Sequence, residues 1–357
     1  MVRKASKPTS EDVAREAGVA QSTVSIALSG RPEARRVSPE TRRRIYAAAR
    51  RLGYRKNSSG VALRRGYSDT VVLLIVTWEL ASSHSDTSMS VSRAAAASGL
   101  ATVVHVAADD EEALVYLENV TSLNPYGLIL MWDSASIPED ALARLSAEQI
   151  PIVSLMPPGP EDILHVTANR SQGLYLATQH LIGLGHRQIA LVYNSARPTG
   201  RHKAAGYGAA LEAAGIEIDE GLLQEIEEAS FEGGRGGFLK LIERRPDTTA
   251  VLCTDDTMAI GVILAAQDLG LSVPHDLSVV GFGASREGLY FRPSLTTVAL
   301  PFNKIAEDVI GMLLRIRKEP GYAPASIMEP VELIVRDSTK PVRATGPESR
   351  MANRLIH

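Results

Sequence analysis

From Val71 onward the chain alternates short runs of β-branched and aliphatic residues with longer helical stretches, and this alternation narrows the possible folds more than any other feature. Strand-like runs fall at Val71–Val76, Thr102–Val106, Gly127–Met131, Ile152–Leu155, Ile189–Tyr193, Ala250–Cys253 and Leu277–Phe282. Helical stretches lie between them, such as Glu111–Leu123, Leu174–Leu184, Lys203–Ala214, Met258–Leu269 and Asn303–Arg315. A strand followed by a helix and another strand needs a crossover, which makes neighbouring strands parallel and puts helices on both faces. The order predicts an α/β core of two lobes. Pro157-Pro158-Gly159-Pro160 is expected to mark the first passage between them, and Leu295-Thr296-Thr297-Val298 a return. Ligands of such sheets bind beyond the carboxyl ends of the strands, here in the cleft between lobes.

The 357 residues carry a net charge of -3 that conceals an asymmetry. Residues 1–66 hold 16 Lys/Arg and 5 Asp/Glu, a balance of +11, whereas the remainder holds 22 and 36, a balance of -14. A basic head on an acidic body suits a head that meets a polyanion. The head also carries helix punctuation, which a solvated basic tail does not need. Thr9-Ser10-Glu11-Asp12 fits a capped helix start, Val13, Ala14 and Ala17 share one face, and Gly18 permits a sharp turn. A second helix, about Gln21 to Leu28, turns Val24, Ala27 and Leu28 inward and Gln21, Ser22, Ser25 and Ile26 outward. A third begins at Ser38-Pro39-Glu40 and stops at Leu52-Gly53. Three short helices with a tight first turn predict a helix-turn-helix domain whose second helix enters the major groove.

The run Val13-Ala14-Arg15-Glu16-Ala17-Gly18-Val19-Ala20-Gln21-Ser22-Thr23-Val24-Ser25-Ile26-Ala27-Leu28-Ser29-Gly30 resembles the head of the LacI/GalR family of bacterial transcription regulators. The likeness continues through Val37-Ser38-Pro39-Glu40-Thr41-Arg42, Leu52-Gly53-Tyr54 and Asn57 to Gly66. In the core, His180–Ala190, Gly206–Leu211, Asp256–Gly261, Ser278–Phe282 and Pro293–Val298 resemble the same family, whose core is similar to periplasmic sugar-binding proteins.

The resemblance implies DNA contacts from Thr9, Gln21, Ser22, Thr23, Ser25, Ile26, Ser29 and Tyr54, and from a hinge helix containing Asn57, Ala62 and Leu63. Leu63 aligns with a leucine that wedges into the minor groove, where an apolar side chain unstacks a base step and bends the duplex. Ile26 stands where the family normally has arginine. It can touch a thymine methyl but gives no bidentate bond to guanine.

In the cleft, the resemblance draws attention to Lys203, where an arginine commonly grips the ligand, with Arg201 two residues earlier. Gly283 replaces an aspartate that usually binds sugar hydroxyls, Met156 replaces an acid, Asp255 stands where asparagine is frequent, and Phe231 where an aromatic stacks on the ligand. Trp78, Met131, Trp132 and Met156 lie near carboxyl ends of expected strands and are expected to form an apolar cleft floor. These losses predict an effector less polar than a simple sugar, and Arg201 with Lys203 an anionic one.

Domain bounds follow: helix-turn-helix head 1–56; hinge and linker 57–68; core 69–340, with one lobe from 69–165 and 299–330 and the other from 166–298 and 331–340; flexible tail 341–357. The resemblance further implies a homodimer on a palindromic double-stranded operator, and repression as the usual outcome. No phosphate-binding Gly-x-x-x-x-Gly-Lys-Ser/Thr loop or Gly-x-Ser-x-Gly elbow is present; Gly281-Phe282-Gly283-Ala284-Ser285 has its serine misplaced. With one cysteine, Cys253, and no His-x-x-x-His pair, neither a metal site nor a cofactor nor catalysis is expected. No apolar run reaches the ~18 residues of a membrane helix and the N-terminus lacks a signal-peptide pattern, so a cytoplasmic chain is expected. The rival reading is a solute-binding protein without DNA function.

Overall fold

The computed structural model describes residues 8–28, 36–54, 62, 65–77, 82–132, 137–156, 163–195 and 198–342. Ser29, Asn57, Leu63, Trp78, the Pro157–Pro160 passage and residues 343–357 of the expected tail lie outside them.

The head contains helices α1 (Ser10–Ala17), α2 (Gln21–Ala27) and α3 (Pro39–Leu52). Thr9 and Asp12 form a reciprocal capping box at the start of α1: Asp12 N donates to Thr9 Oγ1 at 3.3 Å and Thr9 N to Asp12 Oδ2 at 2.9 Å. Gly18 leaves α1 at φ +62, and Val19 N donates back to Ala14 O at 3.0 Å, which closes the tight turn into α2. Ser38 caps α3 and Pro39 occupies its first turn. Val13, Ala14, Ala17, Val24, Ala27, Val37, Ile45, Ala48 and Ala49 form the head's core, a small one dominated by alanine.

The core holds two six-stranded sheets. The first, in the order β11-β5-β4-β3-β1-β2, is built from β1 (Thr70–Val76), β2 (Ala101–Ala107), β3 (Gly127–Trp132), β4 (Ile152–Ser154), β5 (Leu164–Ala168) and β11 (Ile327–Glu329). All its pairings are parallel; Val71 of β1 stands opposite Thr102 of β2 and Gly127 of β3. The second has the order β12-β10-β9-β8-β6-β7, from β6 (Ile189–Tyr193), β7 (Leu223–Glu225), β8 (Ala250–Cys253), β9 (Ser278–Phe282), β10 (Thr296–Ala299) and β12 (Glu332–Ile334). Only β12 runs antiparallel, against β10.

Side chains alternate along β1 as a strand buried on both faces requires. Val71, Leu73 and Ile75 join one apolar cluster, and Val72, Leu74 and Val76 another. Helices α4 (Ser82–Ala97), α5 (Asp110–Val120), α6 (Glu139–Ala147) and α12 (Phe302–Lys318) flank the first sheet. Helices α7 (Arg170–Gly183), α8 (Pro198–Ala213), α9 (Phe231–Arg244), α10 (Asp256–Asp268) and the short α11 (Arg286–Tyr290) accompany the second.

The first passage between lobes is not where the Pro-Pro-Gly-Pro run suggests. β5 pairs with β4 in the first sheet, so the chain leaves this lobe after Ala168 and enters the second through α7. The reason is local: proline and glycine interrupt any element, including the loop joining two strands of one sheet, and so do not by themselves locate a lobe boundary. The chain returns between β10 and α12 and crosses again between β11 and β12, giving three connections at one seam.

Candidate functional site

Two places in the molecule gather candidate functional side chains. On α2, Val24 and Ala27 are buried while Gln21, Ser22, Ser25 and Ile26 face outward, Ile26 being 40% exposed. Gln21 Nε2 donates to Ser10 Oγ at 2.9 Å, which ties the start of α2 to α1. Thr23 is half-buried, and half-buried Tyr54 packs on the head's core. The Thr9 hydroxyl donates to Asp12 Oδ2 at 2.8 Å, and the Thr9 N–H above all holds the Asp12 carboxyl below its ordinary range. Ala62 is helical and half-buried.

The second place is a cavity of ≈ 360 Å³ at the seam of the lobes. The first lobe contributes the ends of β1, β3 and β4, with helices α4 and α12; the second contributes α8, α9, α11 and the β6, β8 and β9 ends. Met131, Met156, Lys203, Phe231, Asp255 and Gly283 all line it.

Trp132 and Arg201 do not line it. Successive residues of a strand face opposite sides, so Met131 reaches the cavity while Trp132 turns into the apolar cluster beneath. There Trp132 is 3% exposed and its Nε1 donates to Asp110 Oδ1 at 2.8 Å. Residues two apart on a helix are likewise on different sides: Lys203 points inward, and exposed Arg201 donates to Ser195 O at 2.6 Å.

Lys203 is held in place. Its Nζ donates to Thr254 O at 2.7 Å and lies 4.2 Å above the centre of the Phe282 ring. Asp255 caps α10, accepting from Thr257 N at 2.8 Å. Burial pushes its carboxyl above the ordinary range, with the Lys203 ammonium pulling the other way. Asp256 next to it is fully buried and braces the cavity wall: Oδ2 accepts from Ser285 N and Oδ1 from the Thr297 hydroxyl, both at 2.6 Å. That brace fixes the turn at Gly283, where φ is +129, a backbone state that side-chain-bearing residues rarely adopt.

Sequence reading missed His84 and Thr87 of α4, Arg170 at the start of α7, Asn194, Thr254, Glu287 and Phe302. For Asn194 and Thr254 the signal existed, since each directly follows an expected strand, Ile189–Tyr193 and Ala250–Cys253. For α4 it did not: Ser82–Ala97 is rich in serine, which competes for backbone hydrogen bonds and disguises a helix.

Among the described residues no group of three or more His, Cys, Asp or Glu could hold a metal. Burial pushes the Cys253 thiol well above its ordinary value, keeping it protonated and poorly nucleophilic.

Residues 9–57 match the family described as bacterial regulatory proteins, lacI family, and residues 178–339 match a periplasmic binding protein-like domain. The HTH-type transcriptional repressor PurR of Erwinia tasmaniensis is 33% identical over 313 residues, spanning 86% of this chain and 89% of the relative. The chain belongs to the lacI family. Its fold is that of the lac repressor dimer bound to operator and the anti-inducer ONPF, at TM-score 0.75 and 26% identity, covering 93% of this chain and 99% of the other. The transcriptional regulator CelR in complex with cellobiose gives TM-score 0.70 at 26% identity, with the same coverage. As a lacI-family member this chain is a DNA-binding transcriptional regulator with an effector-binding core, and these relatives are regulators rather than enzymes. A solute receptor without DNA function leaves residues 9–57 unexplained.

Proposed function

We propose that the chain is a repressor: a homodimer whose two heads occupy a palindromic operator and whose DNA affinity is set by a small molecule in the inter-lobe cavity. In this reading residues 1–56 read DNA and 57–68 form the hinge, while the two lobes of 69–340 clamp the effector. Gln21, Ser22, Ser25 and Ile26 contact base edges from α2; Thr9, Thr23, Ser29, Tyr54 and Asn57 steady the backbone contacts; Ala62 and Leu63 enter the minor groove. Met131, Met156, Lys203, Phe231, Asp255 and Gly283 form the effector site, which suits a ligand less polar than a sugar. The protein works in the cytoplasm. Consistent with that, no helix among the described residues is long and apolar enough to cross a membrane.

One observation carries this reading: a cavity lined from both lobes, at a seam the chain crosses three times. A ligand that touches both lobes binds their closed arrangement better than an open one, and only such differential affinity can shift a two-state equilibrium. The test is a compound screen by thermal shift, with every hit then scored for operator affinity. Hits are expected to change operator binding, and Phe231→Ala to remove both effects; hits that stabilise the core without altering DNA affinity contradict the reading.

A further inference from the structure

The cavity's two walls differ in kind. On the first-lobe side stand Val76, Val91, Met131, Leu155, Met156 and Ile305, and the polar groups among the described lining residues there are Thr77, Ser83, His84 and Thr87. The acidic and basic lining residues Arg170, Lys203, Asp255 and Glu287 all belong to the second lobe. A polyol laid across such a site turns several hydroxyls toward aliphatic side chains and methionine thioethers. Each hydroxyl stripped of water without a partner weakens binding. Gly283 removes one acid that could answer those hydroxyls, and its φ of +129 makes the position a poor one for any side chain.

The placement of the four side chains, rather than their sum, indicates the sign of the ligand's head. Two are cationic and two anionic; Asp255 is committed to capping α10 through Thr257 N at 2.8 Å, and burial pushes its carboxyl above the ordinary range. The cation placed to meet a ligand head is Lys203, whose ammonium is fixed by Thr254 O and the Phe282 ring. A dianion would meet Glu287 and Asp255 in the same wall, which disfavours a phosphate ester.

We propose that the effector is an amphipathic monocarboxylic acid, its carboxylate held by the second lobe at Lys203 and its aliphatic or aromatic body packed against Met131, Leu155 and Met156 of the first. This rests on the reading of the cavity as the effector site. The second lobe then captures the head while the first lobe closes over the body.

The experiment is calorimetric titration of the full chain with ethanoate, hexanoate, 4-phenylbutanoate, 4-phenylbutanamide and cellobiose, each also scored for operator affinity. Affinity is expected to rise along the acids as the apolar body grows, and 4-phenylbutanoate to bind at least about tenfold tighter than its amide. Lys203→Met is expected to erase the acid-over-amide preference and Lys203→Arg to retain it. Equal binding of acid and amide, tighter binding of cellobiose, or no acid binding at millimolar concentration overturns the proposal. If cellobiose binds and shifts operator affinity, the cavity remains the effector site and the acid alone is refuted. If the acids follow these rules but leave operator affinity unchanged, the ligand chemistry stands and the regulatory reading falls.

Discussion

At the scale of single residues, Gly283 and Ile26 stand where the resemblance leads one to expect an aspartate and an arginine. Introducing the expected aspartate by Gly283→Asp places a side chain at φ +129, a strain on the order of 1–3 kcal/mol. The variant is therefore expected to unfold at lower denaturant concentration and still to bind no sugar in calorimetry; a variant of undiminished stability that binds sugar contradicts the account. Ile26, 40% exposed on the outer face of α2, offers only apolar contact to a base edge. Ile26→Arg is expected to shift preference toward guanine at one operator position by about 1–3 kcal/mol, read by anisotropy on operators substituted at each base pair. Equal change across all sequences would mean that the new arginine meets phosphate instead.

At the scale of elements, the head stands on nine core residues, of which only Ile45 is larger than valine. Ile45→Ala removes its one large fully buried side chain and is expected to cost about 2–5 kcal/mol. Operator binding should vanish while the core's thermal transition stays in place; loss of both would mean that head and core unfold together. On the second sheet, His186 clasps the chain's last described stretch, its Nε2 donating to Lys340 O at 2.9 Å and its Nδ1 lying 2.9 Å from the Thr249 hydroxyl. Burial above all, aided by nearby His180, lowers the His186 pKa from the ordinary value near 6.5. A lowered folded-state pKa gives stability that is complete above about pH 6.5 and lost as pH falls through the depressed value. The melting temperature is therefore expected to drop between about pH 7.5 and 5.5, and His186→Gln to flatten that slope; an unchanged slope excludes His186 as its source. Seven of the twelve strands among the described residues were legible, whereas β5, β7, β10, β11 and β12, each five residues or fewer, were not. Strands such as Val71–Val76 announce themselves because burial on both faces demands continuous apolar runs, and α1 and α3 because their caps have few alternative uses. α4 stayed hidden in its serines, and Trp132 and Arg201 were misjudged because proximity in sequence was read as proximity in space.

At the scale of the molecule, the head, the seam of three crossings and the cavity form one device only if occupancy of the cavity changes how the heads meet DNA. The charge asymmetry was visible from the first and fits a basic head that DNA attracts and an acidic body that DNA repels. What the sequence could not reveal is which cavity wall carries the charges, since that depends on how two sheets from distant stretches face each other. The most direct test of the central claim is fluorescence anisotropy of the full chain on fragments of the DNA upstream of its own gene, at about 50 and 200 mM salt. The account predicts tight binding to one palindromic fragment that survives the higher salt, with weaker, salt-erased binding to the rest. Uniform binding that disappears everywhere at the higher salt would contradict it.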